Sequence, residues 1–339
     1  MVACLKWKGP QAKLLDDIGT SVIDLRTGRN PFAKYTTFLH LKRVIRDTKI
    51  DIVHTHNTGP LLDTIAARLT SCNFPKIIHT DHNRALPEIW KYMAFERIAS
   101  RFVDSIVAVS EEAKQKLVRF EHIPSSRIDI VDNGIPTEKY HEHIEGAKDI
   151  KQELGIDLHH HVIGLCAVHR KEKGIVHLLH ALPEILAAFP NVVCVIGGGG
   201  PEKETLERIA SDMHLRKNVR FIGPRDDVEK ILPIFDIYIL PSEWEGLPLS
   251  LLEAMAAQRC IVATAVGAVP KVLENGKCGL LIQPKDPAGL ADVVISLLKS
   301  SVQRTKLASE AYRCVKEKYS AKVMAANYAY RYKALMNLS

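Results

Sequence analysis

No stretch of this 339-residue chain approaches the eighteen or more consecutive apolar residues a helix needs to cross a bilayer. It also lacks an opening basic segment followed by an apolar signal core, so a cytoplasmic protein is expected. The seven cysteines, Cys4, Cys72, Cys166, Cys194, Cys260, Cys278 and Cys314, form no C-x-x-C pair and several sit in apolar runs. They read as reduced core residues rather than a disulfide framework. No RNA-binding signature or interleaving of aromatic and basic residues occurs, which argues against a nucleic-acid partner. A nicotinamide fingerprint is also incomplete: after Gly197 and Gly199 the next glycine that G-x-G-x-x-G requires is replaced by Glu202.

What is present is enough apolar residue, 46% of the chain, to fill two α/β cores. Apolar strands alternate with helical stretches throughout, the pattern of parallel sheets covered on both faces. Asn133-Gly134 closes the first half, and the polar, histidine-rich residues 136–160 read as a linker. The expected domains are therefore 1–140, 141–320 and a last helix from 321 to 339. His159-His160-His161 is read as a polar approach to a strand, because three consecutive side chains do not converge on one ion without a special loop. Residues 1–50 hold ten basic residues against four acidic, a net +6 of the chain's +7. That excess suits an anionic lipid surface or phosphorylated substrate, and equally a solvated helix face.

Three loops at the carboxyl ends of second-half strands carry phosphate-binding chemistry, the edge on which open α/β sheets place ligands. The first, Val168 to Gly174, offers Arg170 and Lys173. The second, Gly197-Gly-Gly-Gly-Pro201, implies a backbone that bends sharply or approaches a ligand closely. The third runs from Leu240 through Glu245, Gly246, Leu247 and Pro248 into a helix beginning near Leu249, with Glu253 in its second turn. Pro248 suits the first helical position, and free N–H groups there attract phosphate. Alone, Glu245 and Glu253 also fit a loop acid and a helix-surface acid. Gly223 to Asp227, which includes Arg225, could offer groups to a base.

The run Phe235-Asp-Ile-Tyr-Ile-Leu-Pro-Ser-Glu-Trp-Glu-Gly-Leu-Pro-Leu-Ser-Leu-Leu-Glu-Ala-Met-Ala-Ala, followed by Ile261-Val-Ala-Thr and Gly279-Leu-Leu-Ile, resembles the retaining glycosyltransferases of family 4. The likeness extends over nearly the whole chain and includes an E-x7-E signature carried by Glu245 and Glu253. It implies a GT-B fold, two Rossmann-like doubly wound domains facing a central cleft. It implies that Glu253 binds ribose hydroxyls, that Glu245 lies near the donor sugar, and that Arg170 and Lys173 hold a pyrophosphate. Gly198, Gly199, Gly246, Leu247, Pro248, Leu249 and Arg225 would complete the nucleotide site. His82 matches a first-domain active-site histidine, whereas His54 and His56 read as satisfied structural residues.

Arg170 stands three residues before Lys173; Val168 occupies the position five before, where many members carry the arginine. The family's opening strand, glycine-rich loop and helix have no counterpart before Val2, so a shortened first domain with unpaired neighbouring strands is expected. The reaction implied is retaining sugar transfer from a nucleotide-diphosphate sugar to a glycan or lipid-linked acceptor, in cell-envelope polysaccharide or lipopolysaccharide synthesis. No cofactor or metal is expected, in keeping with the lack of any D-x-D pair. The protein would work in the cytoplasm, with the anionic inner face of the membrane as a partner surface. The alternative is a non-catalytic relative that only binds the nucleotide-sugar.

Overall fold

A computed structural model of the protein describes residues 1–4, 11–25, 33–82, 90–143 and 146–337. The chain divides into two compact units, Met1–Val131 with Ala329–Ser339, and Asp132–Tyr328.

In the first unit the strands are β1 (Val2–Cys4), β2 (Val22–Asp24), β3 (Ile52–His56), β4 (Lys76–Asp81), β5 (Ser105–Ala108) and β6 (Ile128–Ile130). Between them run α1 (Gln11–Asp17), α2 (Ala33–Thr48), α3 (Thr58–Leu69), α4 (Trp90–Ala99) and α5 (Glu111–Glu121). The sequence also predicts a helix over 86–100, of which residues 86–89 lie outside the described residues. Strands β3 to β6 pair in sequence order as a parallel sheet. Among the described residues β1 and β2 pair in parallel only with each other. Val107 and Ala108 of β5 are fully buried, and Ser110 starts α5 by accepting a 3.1 Å hydrogen bond from the Ala113 N–H.

The second unit opens with α6 (Thr137–His141) and α7 (Ala147–Glu153). The predicted linker 136–160 is thus partly helical. Its sparse apolar residues, Tyr140, Ile150 and Ile156, are buried in the second unit's core, a role that the charges between them conceal. Next come β7 (His161–Cys166), α8 (Ile175–Ala188), β8 (Val192–Gly197), α9 (Lys203–Asp212), β9 (Val219–Gly223) and α10 (Val228–Ile231). The chain continues through β10 (Ile237–Leu240), α11 (Leu249–Ala256), β11 (Cys260–Thr264), α12 (Val269–Val272), β12 (Leu280–Ile282), α13 (Pro287–Lys299), α14 (Ser301–Lys318) and α15 (Ala321–Leu335).

All six strands are parallel, in the order β12-β11-β10-β7-β8-β9. The sheet therefore winds one way from β7 to β9 and the other way from β10 to β12. That order reverses between β7 and β10, which makes the carboxyl ends of these two strands the topological switch point. Strands buried on both faces need continuous apolar sequence, and Ile237-Tyr-Ile-Leu240 is buried at every position. Helix α13 is capped by Asp286, whose carboxylate accepts from the Gly289 N–H at 2.9 Å behind Pro287.

Candidate active site

At the switch point the loops after β7 and β10 clasp each other. Gly174 adopts φ 61°, and a Cβ there would lie 2.0 Å from the Pro241 carbonyl oxygen, so only glycine allows the approach. The Glu243 N–H donates to the Glu172 carbonyl at 2.8 Å. Lys173 Nζ then reaches across to Glu245, donating to Oε1 at 2.7 Å and Oε2 at 2.9 Å. The Ser242 hydroxyl donates to the same Oε1 at 2.7 Å. Glu245 is 5% exposed, so this carboxylate is a desolvated charge held by a cation and a hydroxyl. The Ala268 N–H donates to the Gly246 carbonyl at 3.2 Å, anchoring the same loop to the segment after β11.

The loop after β8 is tied in as well. The His169 N–H donates to the Gly199 carbonyl at 2.8 Å, and the Glu202 N–H donates to the His169 carbonyl at 3.0 Å. A Cβ on Gly198 would sit 1.9 Å from the Ala167 carbonyl oxygen, and one on Gly200 would sit 2.6 Å from that of His169. Two of the four glycines expected to serve a ligand or a sharp bend, Gly198 and Gly200, are therefore required first by the close approach of two loops. Their outer side faces a cavity of about 400 Å³ whose wall includes Val168, Gly198, Gly199, Pro224, Arg225 and Glu253.

Glu253 projects from α11 into this cavity, and its Oε1 accepts a 2.9 Å hydrogen bond from the Tyr140 hydroxyl on α6. Burial raises the carboxyl's pKa, while the Tyr140 hydrogen bond and the nearby Lys139 charge pull the other way. Arg225 also borders the cavity, but its guanidinium is already forked onto Asp227 at 2.8 and 2.9 Å and reaches Glu153 at 2.7 Å. Those hydrogen bonds raise its pKa further. Arg170 is largely exposed, its nearest carboxylate being Glu172 at 3.8 Å.

Pro248 sits one residue earlier than predicted, as the cap before α11, and its carbonyl accepts from Leu251 and Leu252. A proline in extended conformation at a cap leaves the next N–H groups unbonded within the helix in the same way. Leu247 packs against the core, whereas Leu249 is exposed. The structure thus gathers Glu253, Gly198, Gly199 and Arg225 around one cavity. It joins Lys173 to Glu245 at the switch point, with residues 246–249 linking Glu245 to α11. Tyr140 and Ser242 were missed by sequence reasoning; neither belongs to a spacing motif, and Tyr140 lay in the stretch read as linker.

In the first unit His82 follows β4, with its Nε2 2.9 Å from His56 Nδ1. Burial lowers the pKa of His82, opposed by the Asp81 charge. His54 bonds the Thr80 hydroxyl and the Tyr332 hydroxyl, both at 2.7 Å, a satisfied structural histidine. Burial and then the neighbouring histidines lower it to about 3, and His56 to about 4. Both are neutral at ordinary pH. Of the basic residues near the start, Lys42, Arg43, Arg46 and Lys49 border a groove of about 1010 Å³ together with Lys76, Leu39 and Ile50. Lys6, Lys8, Arg26 and Arg29 lie outside the described residues. Among the described residues no helix is long and apolar enough to cross a membrane.

Comparison with known proteins fits this geometry. Residues 146–314 match the family model for glycosyl transferases group 1, and residues 1–139 match that for glycosyltransferase family 4. The chain is 26% identical over 311 residues to the Escherichia coli UDP-Gal:alpha-D-GlcNAc-diphosphoundecaprenol alpha-1,3-galactosyltransferase, covering 88% of this chain and 79% of that one. It is 27% identical over 281 residues to the Bacillus anthracis N-acetyl-alpha-D-glucosaminyl L-malate synthase, covering 74% and 73%. The Anabaena protein HepE, solved in complex with UDP, superposes with a TM-score of 0.83 at 17% identity, over 97% of this chain and 90% of HepE. With family models matched along nearly its whole length, the chain belongs to glycosyltransferase family 4, a group of glycosyltransferases with the GT-B fold.

Proposed function

We propose that this glycosyltransferase moves a sugar from a nucleotide-diphosphate sugar to a glycan or lipid-linked acceptor with retention at the anomeric carbon. The observation that carries the reading is the Lys173–Glu245 pair at the switch point together with Glu253, which α11 carries from the same loop into the adjacent cavity. Nucleoside and ribose fit the 400 Å³ cavity, where Glu253 accepts from ribose hydroxyls. The diphosphate lies toward Lys173 and the start of α11, and Glu245 accepts from hydroxyls of the sugar. HepE, of the same fold, has been solved with UDP-glucose, which supports a donor of this class. The Escherichia coli relative's name specifies a diphosphoundecaprenol-linked acceptor, which supports a lipid-linked glycan and cell-envelope synthesis.

In the transfer the bond from the anomeric carbon to the diphosphate oxygen breaks as the acceptor oxygen bonds to the same face. The acceptor's proton passes to the departing phosphate oxygen. Lys173, with Arg170 and the α11 N–H groups, stabilises charge on that phosphate, the electrostatic contribution expected to dominate the rate. These cations make the reaction independent of a metal. The groove containing Lys42, Arg43, Arg46, Lys49 and Lys76 rests on an anionic phospholipid surface, its charge and its apolar Leu39 and Ile50 matching headgroup and acyl chain.

Calorimetric titration with UDP, GDP and ADP tests the donor site. Lys173→Ala and Glu253→Ala should each weaken binding by about 1.5–3 kcal/mol, the worth of a charge-assisted hydrogen bond. Wild-type affinity in both variants would refute the assignment, and NMR of the product's anomeric configuration checks retention.

A further inference from the structure

Glu253 is held from outside the three loops that surround it. Its Oε1 accepts from Tyr140, which is carried by α6, and α6 is fixed just before its start by a short parallel bridge. There the Ile135 N–H donates to the Tyr319 carbonyl at 3.0 Å, and the Ala321 N–H donates to the Ile135 carbonyl at 2.7 Å. Gly134 makes this close approach possible, since a Cβ there would meet the Ser320 carbonyl oxygen at 2.5 Å. The Tyr140 ring is 7% exposed and packs in the core, so its hydroxyl has little freedom.

Resting on the donor-site reading above, we infer that Tyr140 is a positioning residue: its hydroxyl fixes the Glu253 carboxylate so that Oε2 is presented to the ribose diol of the nucleotide. One oxygen is committed to the protein and the other to the ligand, which orients the acceptor lone pairs before binding and lowers the ordering cost. The phenol stays protonated because burial and the Glu253 charge both raise its pKa, so it remains a donor. It also opposes the effect of burial on Glu253 and helps keep the carboxyl ionised. The other titratable or charged groups facing Glu253 are Lys139 on α6, Glu229 on α10, Arg225 after β9, Cys166 on β7 and Tyr238 on β10. Among the described residues, the side-chain hydrogen bond to that carboxylate comes from Tyr140.

The test is titration of UDP, GDP and ADP into four proteins across pH 5 to 8: wild type, Tyr140→Phe, Glu253→Gln and the double variant. Tyr140→Phe should weaken the best-bound diphosphate about tenfold at pH 7. Its affinity should also begin to fall, on acidification, at a higher pH than in wild type, because loss of the hydroxyl lets burial raise the carboxyl further. In the Glu253→Gln background Tyr140→Phe should change affinity by less than about twofold. The nucleotide's own titration is common to all four proteins and cancels in the comparison.

Unchanged affinity and pH profile in Tyr140→Phe, with wild type binding well, would overturn the positioning role alone. An equal loss in the Glu253→Gln background would do the same, by showing that the ring acts through packing. If wild type binds none of the three diphosphates, the donor-site reading fails and the inference falls with it. Should Tyr140→Phe melt early, Tyr140→3-fluorotyrosine keeps the ring and supplies a stronger donor. It should move the acid fall-off to lower pH, and an unmoved fall-off would count against the role.

Discussion

Among the described residues three hydrogen bonds hold the buried Glu245 carboxylate, and replacing Lys173 by methionine removes two of them and leaves the one from Ser242. Glu245 is 5% exposed and cannot turn to water, while Lys173 keeps 24% exposure. Breaking a buried pair from one side costs about 3–5 kcal/mol. Partial access of water near Lys173 favours the lower end, about 3 kcal/mol. For a unit of this size that corresponds to a fall in melting temperature of about 6–12 °C. Glu245→Gln should cost less, about 1–2 kcal/mol, because the ammonium it strands can reach solvent. The double variant Lys173→Met/Glu245→Gln should melt closer to wild type than Lys173→Met alone. Scanning calorimetry on all four proteins measures this order. Lys173→Met melting within about 2 °C of wild type, or Glu245→Gln proving the more damaging, would refute the reasoning.

Gly198→Ala should prevent the loops after β7 and β8 from meeting, since its Cβ would lie 1.9 Å from a backbone oxygen; the expected result is poor folding or loss of UDP binding. Gly199→Ala, whose Cβ would meet only Pro224 at 3.3 Å, should be far milder by the same assays. The depressed pKa of His54 means the unfolded chain binds its proton first, so its contribution is complete above about pH 6.5 and is lost as pH falls toward about 3. His54→Asn should flatten that part of the stability curve followed by urea denaturation, and an unchanged slope would count against it. Sedimentation with phosphatidylglycerol vesicles should occur at low salt and vanish at high salt or in Lys42→Glu/Lys49→Glu; binding insensitive to both would remove the lipid-surface proposal.

Most second-unit strands and helices were legible because each carries one dominant signal. Ile175 to Ala188 shows a helical period, and Ile237 to Leu240 is an apolar run of strand length. The switch point was legible through its motif, Glu245 and Glu253 around a helix start. Hidden from sequence was everything decided by loops meeting in space. The partnership of Lys173 with Glu245 joins residues 72 positions apart, and that of Tyr140 with Glu253 joins residues 113 apart. The glycine run was seen correctly as a constraint on backbone, yet its cause, the carbonyls of Ala167 and His169, carries no residue-type signal. Arg225 looked free for a ligand because nothing in the sequence marks Glu153, on a helix in the stretch read as linker, as its partner.

The mutual fastening of the loops after β7, β8, β10 and β11 bears on how such a site diversifies. Each segment takes its shape partly from the carbonyls of the next, so none can change length without disturbing its neighbours. Altered donor preference should therefore arise through exchange of side chains on fixed backbones, or through replacement of the four segments together. A chimera that receives a single loop from a relative should lose nucleotide binding, while one that receives all four should keep it.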